Sequence, residues 1–405
     1  KTIRLARTTG AFDYKKLPKE LRVALDSSPL EGAGRVEDTV NLLAHAGRKI
    51  VDCVAGLLAW SSERVCKEAG IPLLAQSSVK RALDYTWSDP EDKAAAITFL
   101  VGQLTLLEHW VQVRLPEELA HPPLQEHLET LHEILQQDLE PDPSGGGDGG
   151  GVRIREGVAP DRRVSVEDQE MRHGRKSKSK RFNGYKRHIA ADLDTGLILA
   201  CAVTPANRPE EEAAPRLQAD IALQRRSHIG ELLIDRGYIN STVVDQVIGG
   251  DGDVLCKPWV PRNSNSKAFS KAEFRLNMRN FTITCPAGER ESFRPGSVVE
   301  FDPETCDHCE VRTRCTVAAL GHGRTVSVAR NERLQSRLRK RIATRNGRAR
   351  LRERVAVEHK LAHIAQRQGR RARYLGVRAN VYDLRRAATI QNLETIHRVE
   401  LKSAG

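Results

Sequence analysis

Three observations predict an α/β chain: a mixed sheet flanked by helices, with an all-helical insertion and a small cysteine-rich insertion. Two apolar runs end in a carboxylate, Leu21 to Leu25 at Asp26 and Ile229 to Ile234 at Asp235. Short apolar runs bounded by turn residues read as buried strands. Between them Val36 to Glu140 carries apolar residues at helical spacing. A later interruption gathers four of the eight cysteines between Cys285 and Cys315. With 405 residues, 39% of them hydrophobic, the chain can bury a sizeable core in two or three domains.

Lysine and arginine outnumber aspartate and glutamate by 65 to 53, a net charge of +12. Such a balance points to a polyanionic partner, with nucleic acid the default; solubility alone is the plainer reading. No stretch reads as long and apolar enough to cross a bilayer and no signal peptide opens the chain, so no membrane partner and a cytoplasmic location are expected. The first residue is Lys1, not Met, and a missing upstream segment is expected. The cysteine usage suits a reducing compartment and a metal site better than a disulfide framework.

In chain order, residues 1–35 contain the first strand, which Ser27-Ser28-Pro29 is expected to stop just past Asp26. Asp26 is either a site acid or a turn former. Residues 36–141 form the helical insertion, in which Ser88-Asp89-Pro90-Glu91 marks a helix start and Trp60, Trp87 and Trp110 are packing residues. Residues 142–152, with glycines from Gly145 to Gly151, are a flexible linker by composition. The core resumes over 153–262. There the basic run from Arg172 to Arg181 precedes a strand over Gly184 to Asp192, a hairpin turn at Asp194-Thr195-Gly196 and a returning strand to Val203. An amphipathic helix over Pro209 to Arg225 leads into the Asp235 strand, and Val254 to Cys256 is a further strand.

The cysteine-rich insertion spans 263–345. Cys285, Cys306, Cys309 and Cys315 have the ligand type and spacing of one tetrahedral structural zinc, the alternative being reduced thiols. His308 could replace one cysteine. The last part, 346–405, carries Arg354 and Glu358 one helical turn apart, either a surface ion pair or part of a site.

An in-line attack on a phosphodiester needs a deprotonated oxygen nucleophile and a neutralised leaving oxygen, and two Mg²⁺ ions roughly 3.5–4 Å apart supply both. Mg²⁺ keeps several waters and needs few carboxylates. Asp26 and Asp235 at strand ends, with Glu358 on a helix, could converge on such a pair.

These pieces together resemble the DDE transposases of bacterial insertion sequences. The matching stretches are Ala24-Leu25-Asp26-Ser27-Ser28-Pro29-Leu30 with Val36-Glu37-Asp38-Thr39; Arg172-His173-Gly174-Arg175-Lys176-Ser177 with Gly184-Tyr185-Lys186; Thr204-Pro205-Ala206-Asn207; Asp235-Arg236-Gly237-Tyr238; Arg354-Val355-Ala356-Val357-Glu358-His359; and Ala372-Arg373-Tyr374-Leu375-Gly376. They cover most of the chain from Arg22 to Gly376 except the helical block and parts of the cysteine region. The resemblance implies a ribonuclease H-like catalytic core with Asp26, Asp235 and Glu358 as the triad holding two Mg²⁺ ions, Asp168 being the rival first acid. It implies nicking of double-stranded DNA at element ends, then strand transfer into target DNA, by a homodimer in synapsis associated with the bacterial nucleoid. DNA contacts are expected from Arg172, Arg175, Lys176, Lys178, Lys186, Tyr238 and Arg354. The branch's signature tyrosine and lysine positions hold Leu351 and Ala365 here, so Lys360 or Arg367 would stand in for the lysine. The alternatives are a zinc-containing DNA-binding protein without chemistry and a host nuclease of the same fold.

Overall fold

The computed structural model describes residues 1–142, 151–224, 226–259 and 268–404. Its main sheet has six strands: β1 (Leu21–Glu31), β2 (Arg172–Arg175), β3 (Arg181–Asp192), β4 (Ile198–Pro205), β5 (Ile229–Leu233) and β6 (Asp253–Leu255). The order is β2-β3-β1-β5-β6, with β4 paired to β3. Strand β1 is the hinge of the arrangement, antiparallel to β3 on one edge and parallel to β5 on the other. Asp192 to Leu197 makes the expected hairpin turn, with Gly196 at φ +69°, a backbone region that glycine enters without steric cost.

Successive residues of a strand face opposite sides, and both sides of this sheet are covered. Leu21, Val23 and Leu25 face one core with α1 (Ala214–Ala222), α2 (Thr242–Gly249) and α3 (Glu332–Ala343), through Leu217, Val243, Leu334 and Leu338. Ala24, Ile189 and Leu233 face the other with α4 (Val355–Gln368) and α5 (Gly376–Ala404), through Val357, Leu361, Ile364 and Leu384. The result is helix, sheet, helix. Helix α1 is shorter than expected because its first turn, Glu210–Ala213, is a 3₁₀ turn.

Strand β1 does not stop at Ser27-Ser28-Pro29. It pairs with β3 as far as Glu31 opposite Gly184, while its pairing with β5 ends at Ala24 opposite Leu233. From Asp26 to Leu30 that edge of β1 is paired with no strand among the described residues, before Glu31 bridges to Arg371, and such an edge is where a proline, lacking an N–H, fits a sheet.

Between β1 and β2 the chain forms helices Thr39–Leu58, Ser62–Glu68, Val79–Leu83, Pro90–Arg114 and Leu124–Asp138 around a separate core. Asp89 caps its helix as expected, accepting from the amides of Glu91 and Asp92, and Trp60 packs against Trp110 at the margin of that core. One expectation is corrected here: Pro90–Arg114 is long and apolar enough to cross a membrane by length and composition. Ile97, Leu100, Leu104, Leu107 and Val111 on it are nonetheless buried in the helical core, which explains its apolarity without a bilayer.

Of the glycine-rich linker, residues 143–150 lie outside the described residues. Leu139–Pro141 pairs antiparallel with Val152–Ile154, and Val152 and Ile154 pack on the helical core. Both flanks of the run thus belong to the helical block. The cysteine-rich part has short strands of three residues each around Phe269, Phe274, Ile283, Phe293, Val299, Phe301, Val326 and Val328. Leu334 and Leu338 of α3, within the span 263–345, pack in the main core.

Candidate active site

The site opens where β1 and β5 separate. Two residues beyond the last parallel pair, Ala24 and Leu233, stand Asp26 and Asp235. Strand β1 continues on β3, whereas β5 bends into the 3₁₀ turn Arg236–Tyr238, with Asp235 as its cap accepting from Arg236 N at 2.8 Å. Helix α4 closes the gap. Its Val357, Leu361, Ile364 and Gln368 are buried, and Glu358, Leu361, Ala362 and Ala365, at helical spacing, line a cavity of about 460 Å³. Asp26, Asp235 and Glu358 line that same cavity with Ser27, Glu210, Arg354, Arg175, Lys176 and Lys186. A larger cavity of about 1470 Å³ lies between α2, α3 and the cysteine-rich part and holds none of the three acids.

Arg354 sits between two of the acids. Its Nη1 is 3.3 Å from Asp26 Oδ2, and its Nη2 donates to Glu358 Oε1. Ser27 N donates to Asp26 Oδ1 at 2.9 Å. Burial still pushes the Asp26 carboxyl up to about 6, opposed by Arg354 and the Ser27 amide and assisted by Glu358 and Asp235. A carboxylate desolvated beside like charges resists ionisation, so the three acids share one electrostatic environment.

Other expected residues fall elsewhere. Tyr238 is fully buried and cannot reach a DNA backbone; its hydroxyl meets His188 Nδ1 at 2.7 Å, and His188 Nε2 meets Thr204 Oγ1 at 2.9 Å. Burial drives His188 down to about 3, so the ring is neutral. Lys360 lies beside the Gly196 turn and Arg367 pairs with Glu394 on α5, and neither lines the cavity. Arg172 is held by Asp161 at 3.0 Å, whereas Lys178 is exposed in the β2–β3 turn. Asp168 is buried, accepting from the Tyr185 hydroxyl and the Gly376 amide, and does not line the cavity. It anchors the start of α5.

Two residues absent from the sequence reading hold the site together. Arg187, opposite Ser28 in the ladder, is buried and donates to Ser28 Oγ, Pro29 O, Gln368 Oε1 and Gly369 O. It thus ties the Asp26 strand to the end of the Glu358 helix. Glu210 accepts from Ser27 Oγ.

Among the described residues, no group of three or more His, Cys, Asp or Glu side chains is placed to hold a metal ion as it stands. The donor chemistry nonetheless fits a hard cation: oxygen ligands are what Mg²⁺ takes, and Asp235 and Glu358 are exposed at the cavity wall. Cys285, Cys306, Cys309 and Cys315 line one small cavity of about 40 Å³. Burial raises the Cys315 thiol, and the other three cysteines raise it further.

Residues 158–393, more than half the chain, match the family described as a transposase DDE domain. The chain belongs to that family. No curated protein matches it. The matched span of this DDE transposase includes Asp235 and Glu358 but begins after Asp26, which the helical block separates in sequence from the rest of the sheet. Family membership implies an enzyme that acts on DNA, in a family that generally uses divalent metal.

Proposed function

We propose that this DDE transposase nicks DNA at the ends of its element and joins the freed 3′-OH to target DNA at the Asp26, Asp235 and Glu358 cavity. The observation that carries the reading is the meeting of three acids, from three distant parts of the chain, in one cavity edged by Arg175, Lys176 and Lys186. A bound pair of divalent cations supplies an activated water oxygen and neutralises the leaving oxygen. Asp26, Asp235 and Glu358 would hold the pair. Arg354 balances Asp26 and Glu358 and is free to turn its other donors to a phosphate, which guanidinium groups grip well. Arg175, Lys176 and Lys186, with Lys178 further out, position the backbone without reading sequence. Leu361, Ala362 and Ala365 keep that wall apolar.

The core is proposed to be ribonuclease H-like, supported by a central β1 that is antiparallel to β3 and parallel to β5. The helical block would be an insertion after β1, running to Ile154, and the cysteine-rich part a second one between β6 and α3. Joining two element ends calls for a homodimer, acting on DNA at the nucleoid. The test is incubation of the purified chain with pre-cut element ends, a plasmid and Mg²⁺ or Mn²⁺. Joined products are expected. Hydrolysis without joining would favour a nuclease, and binding without cleavage a DNA-binding protein.

A structural zinc at the four thiols is part of the proposal. The core beneath them is small, and units of that size commonly depend on a metal or cross-links. Four thiolates leave no open coordination position, so the ion would not take part in catalysis. About one zinc per chain is expected by elemental analysis, lost in Cys306→Ser; metal-free protein with four freely titrating thiols would remove the zinc from the account.

A further inference from the structure

We propose that Tyr238 and His188 are positioning residues of the reaction: with Ser27 and Thr204 they form one directed run of hydrogen bonds that sets the strand end bearing Asp26 against the one bearing Asp235. The inference rests on the reading above and adds to it what holds two of the acids in place.

The parallel pairing of β1 with β5 ends at Ala24 opposite Leu233, so the sheet itself does not fix Asp26 against Asp235. A side-chain bridge spans the gap. Tyr238 closes the 3₁₀ turn that Asp235 caps. Its phenol is in hydrogen-bonding contact with Ser27, the residue after Asp26, and meets His188 Nδ1 at 2.7 Å. His188 stands opposite Ser27 in the ladder of β1 with β3, and its ring meets that of Tyr238 edge-on, with centroids 6.0 Å apart and planes at 86°. On its other side Nε2 meets Thr204 Oγ1 of β4 at 2.9 Å. Both rings are fully buried.

The direction of every bond follows from the acceptor at the end of the run. Ser27 Oγ donates to the Glu210 carboxylate, which when ionised can only accept. The Ser27 oxygen is then left to accept from the Tyr238 hydroxyl. Burial keeps that phenol protonated well past its ordinary range, with Glu210, Asp26 and Asp235 adding to the effect. The phenol oxygen accepts from His188 Nδ1–H, and the bare Nε2 of the neutral ring accepts from the Thr204 hydroxyl; the bonding pattern assigns this tautomer. A fully satisfied buried network holds its members to one arrangement. Here the members belong to β1, β3, β4 and the turn after β5. An apolar filling would pack the same space without desolvating polar groups, but it would not tie the Tyr238 turn to the Ser27 strand.

Tyr238→Phe deletes one oxygen and keeps the ring. At saturating DNA with Mg²⁺, nicking by the folded variant is expected to fall roughly 10–100-fold, the range typical of groups that orient metal-holding residues. The DNA concentration giving half the maximal rate should not change. His188→Leu should lose about as much, and His188→Asn, whose amide nitrogen stands where Nδ1 does, should regain part of it. Melting curves accompany each assay. A network that only stabilises the core would lower Tm and leave the rate per folded molecule at the wild-type value. That result in Tyr238→Phe refutes the positioning role while the transposase site stands. Should Tyr238→Phe not fold, Thr204→Val decides: slower nicking at unchanged half-saturation supports the role, and a wild-type rate refutes it. If the wild-type chain itself does not nick, the transposase reading falls and the positioning role falls with it.

Discussion

Asparagine at position 235 is expected to slow metal-dependent nicking by roughly 10³-fold, the rate equivalent of about 4 kcal/mol, while DNA binding persists. The same outcome is expected for Asp26→Asn and Glu358→Gln, because all three acids line one cavity and the loss of any one spoils the cation pair for both cleavage and joining. The variants should not add: once one acid is gone, a second substitution costs little more, as for groups that act as a unit. DNA affinity should stay the same or rise slightly, since a negative charge facing phosphate is removed and the basic rim of Arg175, Lys176 and Lys186 is untouched. Its salt dependence, set by the cationic contacts, should keep its slope. A gel-based nicking assay beside a binding titration at two salt concentrations measures both. Full nicking activity in Asp235→Asn would remove that residue from the site.

The sequence made some of this legible for a local reason. A strand end carrying an acid, and a helix carrying Arg354 and Glu358 one turn apart, are patterns written in adjacent residues. What escaped depends on partners far along the chain. Arg187 lies in the strand over Gly184 to Asp192, where nothing local marks it as buried; arginines are seldom fully buried, and only the convergence of β1, β3 and α4 makes its position understandable. Glu210 begins a run of three glutamates that looks like ordinary helix-start acidity. Tyr238 comes three residues after a site acid and is expected near the DNA backbone by resemblance, but the 3₁₀ turn after Asp235 points its ring inward against His188. The continuation of β1 past Pro29 was hidden because it depends on β5 turning away, a tertiary event that strand-stop residues do not report. The membrane-length apolarity of Pro90–Arg114 likewise becomes a core feature only once its neighbours are seen.

Arg187 carries the second large expected effect. Its guanidinium, with burial pushing its pKa down to about 10, is costly to bury and is kept there by four acceptors on two elements. Methionine would fill the volume but strand buried Gln368 Oε1 and half-buried Ser28 Oγ, Pro29 O and Gly369 O; a fully buried acceptor left unpaired costs about 1–3 kcal/mol and a half-buried one less. Relief of the buried charge offsets part of that, so Arg187→Met is expected to lower unfolding stability by roughly 2–4 kcal/mol in urea titrations. Lysine should not rescue it, because one ammonium cannot reproduce the planar fork that spans both elements. The functional consequence follows from what is tied. Glu31 N donates to Arg370 O and Ala372 N to Glu31 O, so the backbone after α4 remains tethered to β1 and the fold should survive. Only the fine placement of Glu358 relative to Asp26 is loosened, and a misplacement of about 1 Å can cost about 10²-fold in rate. Folded Arg187→Met protein should therefore bind DNA normally and nick it slowly; wild-type nicking with wild-type stability would show that β1 and α4 are aligned by other contacts.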